Sequence, residues 1–189
     1  TGRRRFSMNP VLTSQQPTAM PSVHRQLTEQ QERWNEIAAD PTLKDLPYKV
    51  ETNAQGQIIL SPHTNRHSDL QTALFQLLQQ HAPDGHISVE YALATPRGVK
   101  APDVVWMSPG RREKMRETGD PSTLAPEICV EVMSESNTEA EMQAKRRLYR
   151  EVGAEEVWIV AEDGTIRFFG DDERERSKIA PECPRTIEA

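Results

Sequence analysis

Two carboxylates lie in the middle of apolar stretches of the sequence, where buried strands are expected. Asp103 follows Pro102 in the run Ala-Pro-Asp-Val-Val-Trp-Met, and Glu131 lies within Ile-Cys-Val-Glu-Val-Met. A buried charge without a partner costs several kcal/mol, so both acids need one. Lys145, on a downstream helix, can supply it. Two acids and a lysine that converge on one edge of a core predict a metal-dependent hydrolase site.

The helix predicted over residues 139–152 determines where Lys145 points. At about 100° per residue, one continuous stripe contains Met142, Lys145, Leu148, Tyr149 and Val152. A lysine in an apolar stripe either extends along its stem to water or meets a carboxylate inside, with Glu131 and Asp103 as the natural partners. Two structural alternatives stay open. Glu141 and Lys145 could form a plain helix salt bridge worth about 0.3 kcal/mol, or Lys145 could neutralise a buried glutamate without any catalytic role.

The elements that carry these residues follow from the apolar spacing. Residues 127–133 alternate as a strand that places Glu131 and Met133 on one face. Thr138 and Glu141 form a capping-box pattern at the start of the helix, and Gly153 ends it. Strands at 157–160 and 165–169 then flank an Asp-Gly hairpin signal. This part of the chain is predicted to place the helix against the strand that bears Glu131.

The upstream half is predicted to contain two helices and four strands. Thr28 caps the first helix, and an amphipathic helix opens at Ser61-Pro62 and contains His67. The strands are predicted at 48–52, 57–60, 86–93 and 99–107, followed by a loop over 108–126 with a short helix at 111–117. The whole order predicts an α/β fold, a mixed β-sheet flanked by helices in a single domain.

The domain is expected to cover residues 28–172. Residues 1–27 are rich in Arg, Gln, Ser, Thr and Pro and are predicted to form a disordered N-terminal tail. Residues 173–189 are charged and then Pro-rich, and they are predicted to form a C-terminal tail or an extension that covers a sheet edge.

Composition limits the possible classes of protein. The 189 residues are 35% hydrophobic with a net charge of −6, which suits one core and argues against non-specific nucleic-acid binding through the whole surface. Two local basic stretches, 111–116 and 146–150, are each either a nucleic-acid patch or, more simply, a solvated face. No run reaches the roughly 18 apolar residues of a membrane span. Two cysteines exclude a disulfide framework, and a cytoplasmic location is expected.

A longer motif strengthens the catalytic hypothesis. Its residues are, in order, Pro102-Asp103, then Glu131-Val132-Met133-Ser134, then Lys145 with Tyr149, Gly153 and Val157-Trp158-Ile159-Val160. With these residues the sequence resembles the PD-(D/E)XK nuclease superfamily, and most of all a widespread bacterial branch of restriction-endonuclease-like proteins. The resemblance extends over about residues 48–170. It departs from the superfamily at Met133, where a lysine usually lies two residues after the glutamate. In the bacterial branch that lysine moves to the next helix, where Lys145 matches it.

The resemblance implies a restriction-endonuclease-like fold and an endonuclease that hydrolyses DNA, although RNA cannot be separated from DNA by sequence. Asp103 and Glu131 would bind Mg²⁺, or Mn²⁺ in its place, and Lys145 would orient or help deprotonate the attacking water. His67 and Ser134 are the candidate substrate contacts. The simpler alternative for His67 is a hydrogen-bonded histidine at the core edge. Ser134 could instead cap the helix, and Glu90 is a weaker candidate. A homodimer is expected, because cutting both strands of a duplex calls for two sites. The alternative is an inactive nuclease-fold interaction module.

Overall fold

The computed structural model describes residues 22–188, which form four helices and ten strands. The helices are α1 (Val23–Ala39), α2 (Asn65–His81), α3 (Pro109–Glu117) and α4 (Glu139–Glu151). The strands are β1 (Tyr48–Thr52), β2 (Ile58–Pro62), β3 (His86–Val89), β4 (Leu93–Thr95), β5 (Gly98–Lys100), β6 (Val104–Met107), β7 (Ile128–Val132), β8 (Glu156–Val160), β9 (Ile166–Phe169) and β10 (Glu173–Arg174).

Six of these strands form one mixed sheet, in the order β10-β9-β8-β7-β6-β3. β7 and β8 are parallel and are joined through α4, whereas the other neighbours in this sheet are antiparallel. β1 pairs with β2 and β4 with β5 in two separate two-stranded sheets. The predicted α/β class, with a mixed sheet flanked by helices, is confirmed.

The two faces of the sheet are covered by different helices. On one face, α2 inserts Leu70, Leu74 and Leu78 against a layer that includes Trp158 and Phe168. On the other face, Tyr149 of α4 and Met115 of α3 pack over alternate residues of the same strands. Because strand side chains alternate between faces, Glu131 lies on the α4 side of β7. The crossover helix therefore covers the strand that carries a glutamate. In the part of the chain that the structure describes, no helix is both long and apolar enough to cross a membrane.

Several element boundaries differ from the sequence predictions. α1 begins at Val23, because Ser22 rather than Thr28 caps it. α2 begins at Asn65 with Thr64 as its cap, whereas the predicted opening at Ser61-Pro62 is still part of β2 and pairs with β1. The predicted strand 99–107 is interrupted at residues 101–103, where Pro102 cannot donate a ladder hydrogen bond. This interruption separates Asp103 from the regular part of the sheet.

The structure describes a small part of the N-terminal stretch and nearly all of the C-terminal one. Of the N-terminal stretch predicted to be disordered, residues 1–21 lie outside the described residues and 23–27 belong to α1. Residues 173–188 pack on the sheet, where Ala180 and Cys183 join the core under α2. Buried Glu156 of β8 holds this segment by accepting hydrogen bonds from Ser177 Oγ and from the backbone of Lys178 and Ile179. The C-terminal segment thus covers the sheet.

Candidate active site

The register of β6 and β7 brings Asp103 beside Glu131. Val104 pairs with Val130 in this antiparallel ladder, so the residue before β6 lies next to the glutamate of β7. Asp103 Oδ2 accepts a hydrogen bond from the backbone N–H of Val132 at 2.7 Å. Asp103 is 0% exposed and Glu131 is 2% exposed. The two acids predicted from sequence therefore lie together, and both are fully buried.

α4 delivers Lys145 to the same place. Lys145 Nζ lies 3.2 Å from each carboxylate oxygen of Glu131 and 3.2 Å from Oε1 of Glu51. Glu141 instead accepts from the backbone N–H of Thr138 in the predicted capping box. The Lys145 ammonium therefore contacts carboxylates inside the protein, and it forms neither of the alternatives, an extension to water or a helix salt bridge with Glu141.

β1 contributes two charged side chains that the sequence reasoning missed, Lys49 and Glu51. Lys49 Nζ lies 2.8 Å from Asp103 Oδ1 and 3.7 Å from Glu131 Oε2. Glu51 accepts from the backbone N–H of Ala101 at 2.9 Å as well as from Lys145. Together with the nearby Lys100, whose ammonium donates to the carbonyl of Thr52, these residues form a cluster of three acids and three lysines, all buried except the partly exposed Lys145.

The two residues were missed because β1 reverses the usual alternation of a half-buried strand. Tyr48 is 43% exposed and Lys49 only 6%, and Leu60 on the paired strand β2 is 44% exposed. Polar residues at i and i+2 of a strand normally face water, so the alternation in β1 does not mark Lys49 and Glu51 as inward-facing. The signal in the sequence is the spacing of Lys49 and Glu51. Two opposite charges two residues apart lie on the same strand face, and both can point inward when the interior holds charged partners for them.

Electrostatics favour the ionised forms of Asp103 and Lys49. Burial opposes the charge of Asp103, but the ammonium of Lys49 and the hydrogen bond from His67 outweigh it and hold the pKa of this carboxyl well below its ordinary value. Burial likewise opposes the charge of Lys49, but Glu131, Asp103 and Glu51 raise its pKa above the ordinary range. Each group is thus kept charged by its partner.

Glu131 and Lys145 respond differently to the same surroundings. Burial raises the pKa of Glu131, and the attraction of Lys145 and Lys49 only partly offsets it. Tyr149 donates its hydroxyl to Glu131 Oε1, and burial with the neighbouring negative charge raises the pKa of this phenol well above its ordinary value. For Lys145 burial lowers the pKa, but the charges of Glu131 and Glu51 prevail and raise it. Lys145 is therefore a protonated cation near neutral pH.

The two predicted substrate contacts line the edge of the site. His67 lies in the first turn of α2, and its Nε2 is 3.2 Å from Asp103 Oδ1. Ser134 follows β7 and donates its hydroxyl to Asn137 Oδ1 at 2.9 Å, while Thr138 is the helix cap. The backbone N–H of Glu90 donates to the carbonyl of Asp103 at 3.2 Å, and its side chain contacts His63 at 3.0 Å. His67 thus contacts an acid of the cluster, and Ser134 lies beside it without touching the carboxylates.

A cleft of about 620 Å³ opens over the cluster and gives it access to solvent. Its lining includes Lys49, Glu51, His67, Asp103, Glu131, Ser134 and Lys145. Met133, which occupies the position of the usual superfamily lysine, instead packs against Met142, Ile159 and Phe169. A lysine at that position would have to enter an apolar cluster, so the ammonium reaches the cleft from α4.

The donor atoms of the cluster suit a hydrated divalent ion. Mg²⁺ prefers carboxylate oxygens and keeps several waters, so two protein carboxylates such as Asp103 and Glu131 are enough. Within residues 22–188, no group of three or more His, Cys, Asp or Glu side chains is arranged to hold a metal ion. The space between the two acids contains the ammonium of Lys49. The ligands fit the ion by type, provided that this ammonium moves away.

One arginine in each of the two basic stretches considered above has a structural role. Arg111 donates to the backbone carbonyls of Ala125 and Gly153, and Arg150 donates to those of Ala154 and Glu155. These guanidinium groups join loops to the ends of helices. Neither arginine lines the cleft over the acids.

We expect Glu51→Gln to lower the free energy of unfolding near neutral pH by about 2 kcal/mol, because the largely buried Lys145 ammonium loses a charged partner. Although burial acts in the other direction, Lys145 and Lys49 hold the pKa of Glu51 below its ordinary 4.5. The stabilising contribution of a carboxylate with a lowered pKa is present above the ordinary value and disappears as the pH falls through the folded-state value. Urea denaturation should therefore show a difference from wild type that shrinks below pH 4.5. If the difference from wild type were the same near neutral pH and well below pH 4.5, the ion pair of Glu51 would not be the source of the lost stability.

Comparisons with known proteins bear on the family and the fold of this chain. A sequence model of the Uma2 family, described as "Putative restriction endonuclease", matches residues 27–184. Among solved structures, the fold is similar to that of a protein described as a putative nuclease belonging to DUF820 from Anabaena variabilis ATCC 29413, with a TM-score of 0.62 and 12% sequence identity over 79% of this chain and 93% of that chain. At this identity the likeness shows the fold alone. No curated protein matches the sequence significantly. The restriction-endonuclease-like fold and the resemblance to that superfamily are confirmed.

Proposed function

This chain belongs to the Uma2 family, and from that premise we propose that it is a metal-dependent endonuclease that hydrolyses phosphodiester bonds in DNA. Asp103 and Glu131 would hold a divalent ion, Mg²⁺ or Mn²⁺, and Lys145 would lie beside the attacking water. The observation that carries the proposal is the convergence of these three side chains, from the residue before β6, from β7 and from α4, on one open cleft.

The metal and the lysine would have separate roles. A divalent ion between two carboxylates neutralises charge on a phosphate and lowers the pKa of a bound water. Lys145 is protonated, since Glu131 and Glu51 raise its pKa against the effect of burial. It therefore suits electrostatic stabilisation of the charge that develops on the phosphate, and orientation of the water, better than removal of a proton. Tyr149 holds the Glu131 carboxylate in position, and Glu51 holds the Lys145 ammonium.

The substrate would lie along the cleft beside His67 and Ser134. His67 Nε2 is close to Asp103, and the Ser134 hydroxyl lies at the end of β7, so both could contact a phosphate next to the metal. RNA is an alternative polymer with the same backbone chemistry. Cleavage of both strands of a duplex would require two such sites, so a homodimer is part of the proposal, and sedimentation of the protein tests it.

A second candidate function is an inactive nuclease-fold interaction module. The position of Lys49 between Asp103 and Glu131 favours it, because three lysines already balance the three buried acids of the cluster. In such a module the cluster would be a structural network, with no site-specific metal binding that depends on Asp103. Calorimetric titration with Mn²⁺ separates the two functions.

We expect wild-type protein to nick supercoiled plasmid with Mg²⁺ or Mn²⁺ but not with EDTA, and Lys145→Met to slow this reaction by about 10²-fold. Methionine keeps the length of the side chain but removes the charge near the developing negative charge. The initial rate of nicking, with metal and DNA in excess, is the measurement. A single-stranded RNA is tested in parallel.

Lys44→Met is the matched control, because Lys44 is exposed and does not line the cleft. It should leave the rate unchanged. If the wild type cleaves neither DNA nor RNA with either metal, the enzyme proposal fails and the interaction module remains. If Lys145→Met nicks as fast as the wild type, the role of Lys145 is wrong.

A further inference from the structure

The ammonium of Lys49 lies where a metal ion between Asp103 and Glu131 would be expected. It is 2.8 Å from one acid and 3.7 Å from the other, and its side chain is only 7% exposed. Each of these acids has a further partner: Asp103 accepts from Val132, and Glu131 from Tyr149 and Lys145. Lys49 is therefore the group that bridges the two acids, whereas the other partners hold each acid separately.

The remaining lysines of the cluster have different contacts. Lys145 binds Glu131 and Glu51 from the side of α4, and Lys100 donates to the carbonyl of Thr52 at 2.6 Å. No bond between Lys100 and either bridged acid is found among the described residues. Two lysines of similar burial, at 6% and 9% exposure, thus differ in whether they occupy the space between the acids.

We propose that Lys49 is an internal cation that closes the metal site, and that a divalent ion binds only when the Lys49 ammonium leaves the space between Asp103 and Glu131. The inference rests on the proposed function and concerns the regulation of the same site. A monovalent ammonium and a divalent ion cannot share this position, because their like charges would repel at contact distance.

The cleft beside Lys49 can accept the displaced ammonium. Lys49 lines the cleft, and lysine carries its charge on a flexible four-carbon stem. In the cleft the ammonium would regain water while the metal takes over the negative charge of the acids. The metal therefore competes with the Lys49 ammonium for the two acids. This competition lowers the metal affinity of the site but does not abolish it.

Calorimetric titration of the full chain with MnCl₂ tests the inference on wild type, Lys49→Met and Lys100→Met. Lys49→Met should bind Mn²⁺ at least about tenfold more tightly than wild type, because no ammonium competes for the two acids. Lys100→Met also removes one positive charge from the cluster but not from between the acids. It should change the affinity by less than about threefold, through the general electrostatic field alone.

The outcomes separate this inference from the proposed function. If wild type and Lys49→Met bind Mn²⁺ equally, and Asp103→Asn abolishes binding to both, the inference is overturned while the metal site stands. If neither protein binds Mn²⁺, both the inference and the metal-dependent function are overturned. If Lys100→Met tightens Mn²⁺ binding as much as Lys49→Met does, the gain comes from the loss of one positive charge anywhere in the cluster, and the inference about the position of Lys49 is overturned.

A measurement on wild-type protein keeps the inference testable if Lys49→Met does not fold. Reductive methylation followed by mass spectrometry reports how accessible each amine is. With saturating Mn²⁺, Lys49 should be methylated faster than without it, because the amine has left its buried position, whereas methylation of Lys100 should not accelerate. Unchanged methylation of Lys49 at a Mn²⁺ concentration that fills the site would overturn the inference.

Discussion

Replacement of Asp103 with asparagine is expected to reduce metal-dependent cleavage by at least about 10³-fold in kcat/KM, which corresponds to about 4 kcal/mol of transition-state stabilisation. Asparagine keeps the shape of the side chain and can still accept from the backbone N–H of Val132. It lacks the negative charge that a divalent ion needs from a two-carboxylate site. The plasmid-nicking assay with Mg²⁺ measures the effect, and Mn²⁺ titration measures the loss of the ion.

The same substitution should also reduce stability. Asp103 is fully buried and pairs with Lys49, so its neutralisation leaves a buried ammonium with a single, more distant acid. Removing one partner of a buried ion pair costs about 3 to 5 kcal/mol, and asparagine should reduce this cost by keeping the hydrogen bonds. Activity must therefore be compared at a temperature where circular dichroism shows that the variant is folded.

Asp69→Asn is the control for this experiment, since Asp69 is an exposed residue of α2 that does not line the cleft. It should match the wild type in both cleavage and stability. Folded Asp103→Asn protein that nicks DNA at the wild-type rate would show that Asp103 is not a metal ligand.

The largest effect on stability is expected at Glu156, which does not line the cleft. Glu156→Ala should lower the free energy of unfolding by about 3 to 5 kcal/mol, because several buried donors lose their acceptor at once. The indole N–H of Trp158 and the hydroxyl of Ser177 donate to this carboxylate at 3.0 and 2.7 Å. Urea denaturation followed by tryptophan fluorescence measures the change.

The neighbouring residue is a matched control. Glu155 is exposed, and its ion pair with Arg111 lies at the surface, so Glu155→Ala should cost no more than about 1 kcal/mol. Hydrogen exchange adds a local test, since the backbone amides of residues 178–180 should lose protection in Glu156→Ala. A loss of stability at Glu156 no larger than at Glu155 would mean that the C-terminal segment is held in some other way.

Local patterns were sufficient for most elements of the fold. The stripe on α4 and the capping box at Thr138 and Glu141 were predicted from residues close together in the chain, and the structure has them. The alternation in β7 placed Glu131 on the face that α4 covers. Helix and strand periodicity is a local property, which explains why these predictions held. Boundaries such as the start of α2 were wrong, because several polar residues near Pro62 were able to cap it.

The composition of the charge cluster, in contrast, depended on tertiary structure. Nothing local shows that β1 turns Lys49 and Glu51 inward and Tyr48 outward, because that orientation follows from its packing beside β5 and the cleft. The C-terminal segment depended on contacts of the same kind, since its burial rests on Glu156 in β8.

The sequence by itself determined the fold class, the strands that carry Asp103 and Glu131, and the helix that carries Lys145, because backbone periodicity and the spacing of one motif specify all three. Only the tertiary structure decided which cation lies between the two acids. Lys49 and Asp103 are 54 residues apart, and a buried ion pair between them forms only after β1 has docked beside β5, an event that no local pattern of side chains encodes.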